Sequence, residues 1–463
     1  MRAPRIITTL ALSASLALGA SVTALSAASP AAAASKPSCP VSALKSAKGT
    51  VQITFWQAMS RANETAIETL TNKYNASQKK VHVNIVQQGG YDVTWSKWQA
   101  GLRTKKLPAM AMIGDTNLQG MVDSRSIVPV GACISASKFN TKPFVPRVMS
   151  YWKVGGVQQG MPFNVSTPIL YYNTKAFAAA GITKPPATLD ELIATAKKLK
   201  AAGQGGMGLK LDPWHLEAWL ATANQLFVNN GNGRIKRSTG PVFKTKIGQD
   251  LFTKLDDLVS SGAATTNPAQ GASAYDNLLG IGAGKFAMTI DTSAALGTVT
   301  QLLGSGQYPN VALGTAPFPV YSSKIRGGVQ PGGAALYISN RATPAQQAAA
   351  WNFISWLDSA DNQAFWSTST GYIPVRTDAA KKSLVSSYWK TNPGYQIPYR
   401  TLTSGITNNA TSGAVVGPYD QVRVAIANAE NSMYNSHVSP KNALNNASTN
   451  VGKIISSYNK RVH

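Results

Sequence analysis

The stretch MPFNVSTPILYYN, residues 161–173, joins two kinds of chain without a spacer. It begins with the loop-forming residues Pro162, Asn164, Ser166, Thr167 and Pro168, then runs into the apolar strand 169–172. Proline holds φ near −65° and drives the residue before it toward extended backbone. Two prolines around an amide and two hydroxyls therefore predict a stiff passage, with polar groups standing at the lip of a buried strand.

The same grammar of strand and helix continues on both sides. Residues 51–56 read as a strand, Ala66, Ile67, Leu70 and Tyr74 line one helical face, Val81, Val83 and Ile85 alternate, and 109–113 is a short apolar run. Thr188 with Glu191 forms a capping box for a helix over 189–202, which Gly203 stops. Thr343-Pro344 opens a helix carrying Trp351, Ile354 and Trp356, and Ser439-Pro440 opens a last one with Val451, Ile454 and Tyr458. Strands separated by helices predict an α/β fold with sheets covered on both faces. No repeat period is visible. The 463-residue chain, 44% apolar, is long enough for more than one lobe.

Arg2 and Arg5 precede an apolar run over residues 6–27 that ends in Ala31-Ala32-Ala33-Ala34. That order is the pattern of a secretory leader, expected to span residues 1–34. No later segment reaches 18 unbroken apolar residues, so the exported part is expected to be soluble. Its two cysteines, Cys39 and Cys133, are an even count in an exported chain, which predicts a disulfide. Lipidation of Cys39 is the rival, and Lys36-Pro37-Ser38 is a poor context for it.

Without Arg2 and Arg5 the chain carries 42 basic and 19 acidic residues, a net +23. Charged residues make up only 14%, against roughly 25% in typical domains. Carboxylates are missing rather than lysines added. A nucleic-acid binder concentrates its cations, whereas the tightest clusters here, 197–200 and 234–237, are short and read as solvated surface. The imbalance suggests an acidic exterior or an anionic cell wall, because a surface poor in carboxylates changes little as pH falls.

Motifs for catalysis are absent from the sequence. His82, His215, His437 and His463 are scattered, two cysteines cannot make a zinc site alone, and neither Gly-x-Ser-x-Gly nor Gly-x-x-x-x-Gly-Lys occurs. A carboxylate pair assembled in space remains open to a glycosidase, though 19 acids make it less expected. No cofactor or metal is expected.

After the expected leader the whole chain resembles the extracellular solute-binding proteins of ABC importers, the maltose-binding-protein-like family. The landmarks fall in family order: Ile53-Thr-Phe-Trp-Gln, Pro162-Phe-Asn with Leu170-Tyr-Tyr-Asn, Lys285-Phe-Ala-Met-Thr-Ile290, Gly332-Gly-Ala, the helix around Trp351, and Thr370-Gly-Tyr-Ile-Pro374. The resemblance implies two α/β lobes around a cleft, with residues 161–173 as the first of three crossings. The others are expected near 286–292 and 336–342. Lobe 1 would take 35–164 and 292–340, and lobe 2 would take 165–291 and 341–463. Hinge closure over a ligand would be the working motion, and the partners would be importer permease subunits with their ATPase. A monomer at the outer face of the membrane is expected.

Within the family the sequence is most similar to the subgroup binding glycerol-3-phosphate and glycerophosphodiesters, which implies a set of ligand contacts. Tyr91 follows Gly89-Gly90, Asp115 stands where a carboxylate is found, and Ser166 matches a phosphate-contacting serine. Thr292 replaces a usual serine, Gly333 offers a close backbone approach, Tyr372 lies in Thr-Gly-Tyr-Ile-Pro, and Arg423 lies in Gln-Val-Arg-Val. Arg423 would bind the phosphodiester with charge-assisted hydrogen bonds, while Asp115 accepts from glycerol hydroxyls. Leu189 stands where the subgroup often has tryptophan, which implies a wider cleft suited to a diester such as glycerophosphocholine. Trp214 could then meet a choline cation through its ring face.

Each residue also has a plainer reading. Arg423 could be a surface arginine, Asp115 a helix cap, Tyr91 and Tyr372 core aromatics, Ser166 and Thr292 turn or cap residues, and Gly333 a tight turn. Leu189 and Trp214 could be packing. The other functions to weigh are sugar binding, phosphodiester hydrolysis and adhesion to a wall polymer.

Overall fold

The computed structural model describes residues 38–268 and 276–462. The leader expected over 1–34 lies outside the described residues. Two sheets organise the chain. In the first, the strands Val81–Gln87, Val51–Gln57, Met110–Gly114, Gly332–Ser339 and Ile127–Val128 lie side by side, and Met161–Ser166 also pairs with Gly332–Ser339. In the second the order is Ala264–Pro268, Met207–Leu211, Met288–Thr292, Pro168–Asn173 and Leu313–Pro317. Each sheet mixes parallel and antiparallel neighbours.

The stretch 161–173 leads from one sheet to the other. Met161–Ser166 belongs to the first, and after the single residue Thr167 the strand Pro168–Asn173 lies between two strands of the second. Thr167 is buried, and its carbonyl accepts from the Ser293 N–H at 2.8 Å. The prolines and hydroxyls mark a change of sheet, as the sequence suggested.

The other passages differ from expectation. Met288–Thr292 and the next strand, Leu313–Pro317, both lie in the second sheet, and Gly332–Ser339 already lies in the first, so the chain changes sheet near neither 286–292 nor 336–342. The chain instead passes from the second sheet to the first between Pro317 and Gly332. The lobe boundaries shift with it. Leu313–Pro317, expected in lobe 1, pairs in the second sheet, and Leu296, Val299 and Leu303 pack against Ile169 and Tyr171. Trp351, Phe353, Ile354, Trp366 and Val375, expected in lobe 2, complete the first core with Phe55, Ile113 and Leu336. The second core joins Leu170, Leu189, Trp219, Leu251 and Ile290 to Val422, Ile426 and Val451 from the last two helices. Which sheet a helix covers depends on where its apolar stripe finds a partner, and local sequence does not carry that information.

A disulfide joins Cys39 to Cys133 across 94 residues of sequence, so the Cys39 thiol is engaged in a cross-link. Among the described residues no helix is long and apolar enough to cross a membrane.

Candidate functional site

A cleft of about 500 Å³ lies between the first-sheet loops and the helices Pro213–Thr222 and Tyr419–Ser436. That volume suits a small ligand. The helix Tyr91–Thr104 presents its first residue to the cleft because Gly89 (φ +97°) and Gly90 (φ +149°) turn the chain sharply just before it. A side chain could not follow that path without strain. The Tyr91 hydroxyl lies 3.0 Å from the Tyr372 hydroxyl and accepts from Asn164 Nδ2. Tyr372 stacks on Trp366 with ring centroids 5.4 Å apart.

Asp115 opens a short 3₁₀ turn at the end of the strand Met110–Gly114, and its carboxylate takes a hydrogen bond from the Thr116 backbone N–H. Its carboxylate accepts from the Tyr151 hydroxyl at 2.9 Å. Burial pushes the Asp115 carboxyl up to about 6, against the pull of Arg423 and the Tyr151 hydrogen bond.

Arg423 also lines the cleft. Its Nε and Nη2 donate to the two oxygens of Glu217, each at 2.9 Å, and its guanidinium lies over the Tyr419 ring at 4.9 Å. Gln330 Nε2 donates to Glu217 at 2.8 Å. Burial works against the arginine charge, yet Glu217 and more distant Asp115 hold it firmly cationic. Among the described residues no protein acceptor meets Nη1. The sequence reading gave Arg423 to an incoming phosphate alone, whereas in the fold Glu217 already takes two of its donors.

Asp92, Asp212 and Asp420 complete the charged lining. Burial and the neighbouring Asp420 charge raise the Asp92 carboxyl. Asp212 is held low: burial opposes its charge, but His215, Lys210 and Arg423 outweigh it. Behind it, Lys210 Nζ bridges Asp291 at 3.2 Å and Asp212 at 3.8 Å. With Glu217, five of the chain's 19 carboxylates surround a single arginine, in a chain whose formal charge is +25.

The fold thus brings Tyr91, Asp115, Arg423 and Tyr372 together. Ser166, Gly333 and Trp214 form a second group near the crossing. Ser166 pairs in register with Gly332, and the Trp214 ring covers Gly332 so closely that a Cβ there would come within 2.7 Å of it. Trp214 is therefore mostly a packing residue, although its buried Nε1–H has no hydrogen-bond partner among the described residues. Gly333 (φ +112°) is required by the backbone, since a Cβ would meet the Asn164 carbonyl oxygen at 2.1 Å. Thr292 caps the turn that follows its strand, accepting from Ala294 N–H. Leu189 is fully buried in the second core and is not among the residues that line the cleft.

Sequence reasoning missed Glu217, Tyr151, Asp92, Asp212 and Asp420. For Glu217 a signal existed. The segment Pro213–Thr222 (PWHLEAWLAT) is buried along its whole length, and a carboxylate inside such a run requires a cationic partner.

Two sheets bridged by a proline-bound crossing, with a small charged cleft between them, define a binding protein that holds a small solute between lobes. The model of the family described as bacterial extracellular solute-binding protein matches residues 69–396, and the chain belongs to that family. Among relatives, the sn-glycerol-3-phosphate-binding periplasmic protein UgpB of Brucella melitensis is 26% identical over 406 residues, covering 86% of this chain and 91% of that protein. Among solved structures, UgpB from Mycobacterium tuberculosis in complex with glycerophosphocholine is similar with a TM-score of 0.73 and 18% identity, over 90% of this chain and 100% of that one. The cyclic alpha-maltosyl-1,6-maltose binding protein from Arthrobacter globiformis gives 0.70 and 21%, over 88% and 100%.

Proposed function

We propose that this protein captures a glycerophosphodiester in its cleft by hinge closure and delivers it to the permease and ATPase subunits of an ABC importer at the cell exterior. The observation that carries the reading is the ring of carboxylates around Arg423, itself already bonded to Glu217. A phosphomonoester dianion would face Asp92, Asp115, Asp212 and Asp420 with little cationic charge to offset them. A diester carries one negative charge, which Arg423 Nη1 can meet. Its alcohol ends bring hydroxyls or a cationic head to the carboxylates. The names of the relatives support phosphoglycerol chemistry, and the cleft favours glycerophosphocholine over glycerol-3-phosphate.

A sugar ligand is the second reading, because carboxylates also accept from sugar hydroxyls and a similar structure binds a maltosaccharide. Titration calorimetry with glycerophosphocholine, glycerol-3-phosphate, trehalose and maltose separates the two. Micromolar binding of the diester with none of the sugars is the expected result, and tighter sugar binding overturns it. The protein acts as a carrier without chemistry, so glycerophosphocholine incubated with it should remain intact; release of choline would replace the reading with a hydrolase.

A further inference from the structure

The basic segment 234–237, which reads in the sequence as solvated surface, is engaged in the fold. It belongs to the second lobe: just before it, Asn232 accepts from the backbone N–H groups of Phe227 and Val228 in the second core. Its two arginines both bond to the first lobe, and they do so in different ways.

Arg234 is anchored to main chain. Its Nη1 donates to the carbonyls of Ser150 (2.9 Å) and Tyr151 (3.0 Å), at the end of the helix Pro146–Tyr151. Its Nε and Nη2 donate to the carbonyls of Gly413 and Ser412. The residues that follow pass between the cores, with Val415 in the first and Ala414 and Val416 in the second. Arg147, on that same helix, donates to the carbonyls of Val329 (3.2 Å) and Ile406 (2.7 Å), and Val329 lies in the other passage, between Pro317 and Gly332. Points near a rotation axis are displaced least, so these anchors can stay bonded while the lobes turn.

Arg237 is anchored to a side chain instead. Its Nη1 and Nη2 donate to the two oxygens of Asp123, Nη1 at 2.9 Å. The Tyr458 hydroxyl donates to Asp123 at 2.8 Å, from the last helix, whose Val451 and Ile455 lie in the second core. Asp123 ends the helix Leu118–Asp123, which packs Leu118 and Met121 into the first core and continues the turn opened by Asp115. Two second-lobe donors thus meet one first-lobe carboxylate, and side-chain bonds of this kind break and form again without disturbing either core.

We propose that Arg237, Tyr458 and Asp123 form a catch that holds the lobes closed, with the Arg234 and Arg147 anchors on the pivot side. This rests on the hinge-closure reading above. A bond made only in the closed form raises the population of that form, and it tightens apparent solute binding accordingly. The ligand-free protein is therefore partly closed before a solute arrives.

Small-angle X-ray scattering of the ligand-free exported protein tests the catch. Arg237→Gln should enlarge the radius of gyration, and Tyr458→Phe, which leaves the ion pair in place, should enlarge it less. Adding Asp123→Asn to Arg237→Gln should expand the protein little further, because both changes break the same bond. In calorimetry, Arg237→Gln should bind glycerophosphocholine about tenfold more weakly, the size of one lost hydrogen bond to a charged group. A radius unchanged in both Arg237→Gln and Tyr458→Phe, or expansions from Arg237→Gln and Asp123→Asn that simply add, overturns the catch and leaves the capture reading in place. The scattering needs no solute, so it decides the catch even if glycerophosphocholine fails to bind, a result that strikes the capture reading alone.

Discussion

On the first-sheet side of the cleft the polar groups are almost all neutral. Asn164, Tyr91 and Tyr372 form one hydrogen-bonded chain, Tyr151 donates to Asp115, and the two carboxylates there, Asp92 and Asp115, have no cation of their own side bonded to them among the described residues. On the second-sheet side the groups are ions held by ions: Arg423 with Glu217, and Lys210 with Asp291 and Asp212. A neutral network loses about 1 kcal/mol when one partner is removed, whereas a buried ion pair loses several when one charge is left alone. The first wall should therefore tolerate substitution, and the second should couple ligand binding to folding.

The largest effect is expected at Glu217, only 2% exposed. Glu217→Ala strands the Arg423 guanidinium and should cost on the order of 3 kcal/mol in chemical denaturation. A loss below about 1 kcal/mol would mean that the ion pair contributes little. Next comes Arg423→Ala, which should weaken glycerophosphodiester binding by about 100-fold or more, as expected for a lost charge-assisted contact. Retained micromolar affinity in calorimetry would remove Arg423 from the site. Across the cleft, Tyr151→Phe removes one hydrogen bond to Asp115 and should cost about fivefold in affinity. An effect as large as that of Arg423→Ala would erase the contrast between the walls.

The smallest expected effect concerns pH. Burial raises Asp115 to about 6 and Glu430 to about 8, with the Asp212 charge adding to the second. A carboxyl whose folded value exceeds its unfolded one binds protons more readily in the folded state. Its stabilising contribution is full below about pH 4 and is lost as pH rises through its folded value. Thermal unfolding should accordingly show higher stability at pH 5 than at pH 8, and Glu430→Gln should flatten that slope. A steep loss of stability below roughly pH 4 would count against the acidic-exterior interpretation of the charge imbalance.

How much was legible in the sequence differs from one residue to the next. Tyr91 could be placed at the cleft only through the resemblance of Gly89-Gly90-Tyr91 to a family segment, and the two glycines then explain how the chain turns there. Thr167 could be placed at a sheet change because prolines leave the backbone few alternatives. Leu189 could not be placed, because a leucine at a helix start reads the same whether it faces a cleft or a core. Glu217 was concealed among tryptophans and leucines, and its partner lies 206 residues further along the chain.

Sequence alone carried the alternation of strand and helix, the expectation of a Cys39–Cys133 disulfide, and the stiff proline-bound passage at residues 161–173. These follow from backbone restriction and short-range periodicity, which act within a few residues. Only the tertiary structure decided which lobe each later segment joins, that five carboxylates gather at one arginine, and that Glu217 holds that arginine. Those outcomes depend on burial and on Coulomb interactions between groups distant in sequence, whose strength is set by separation in space.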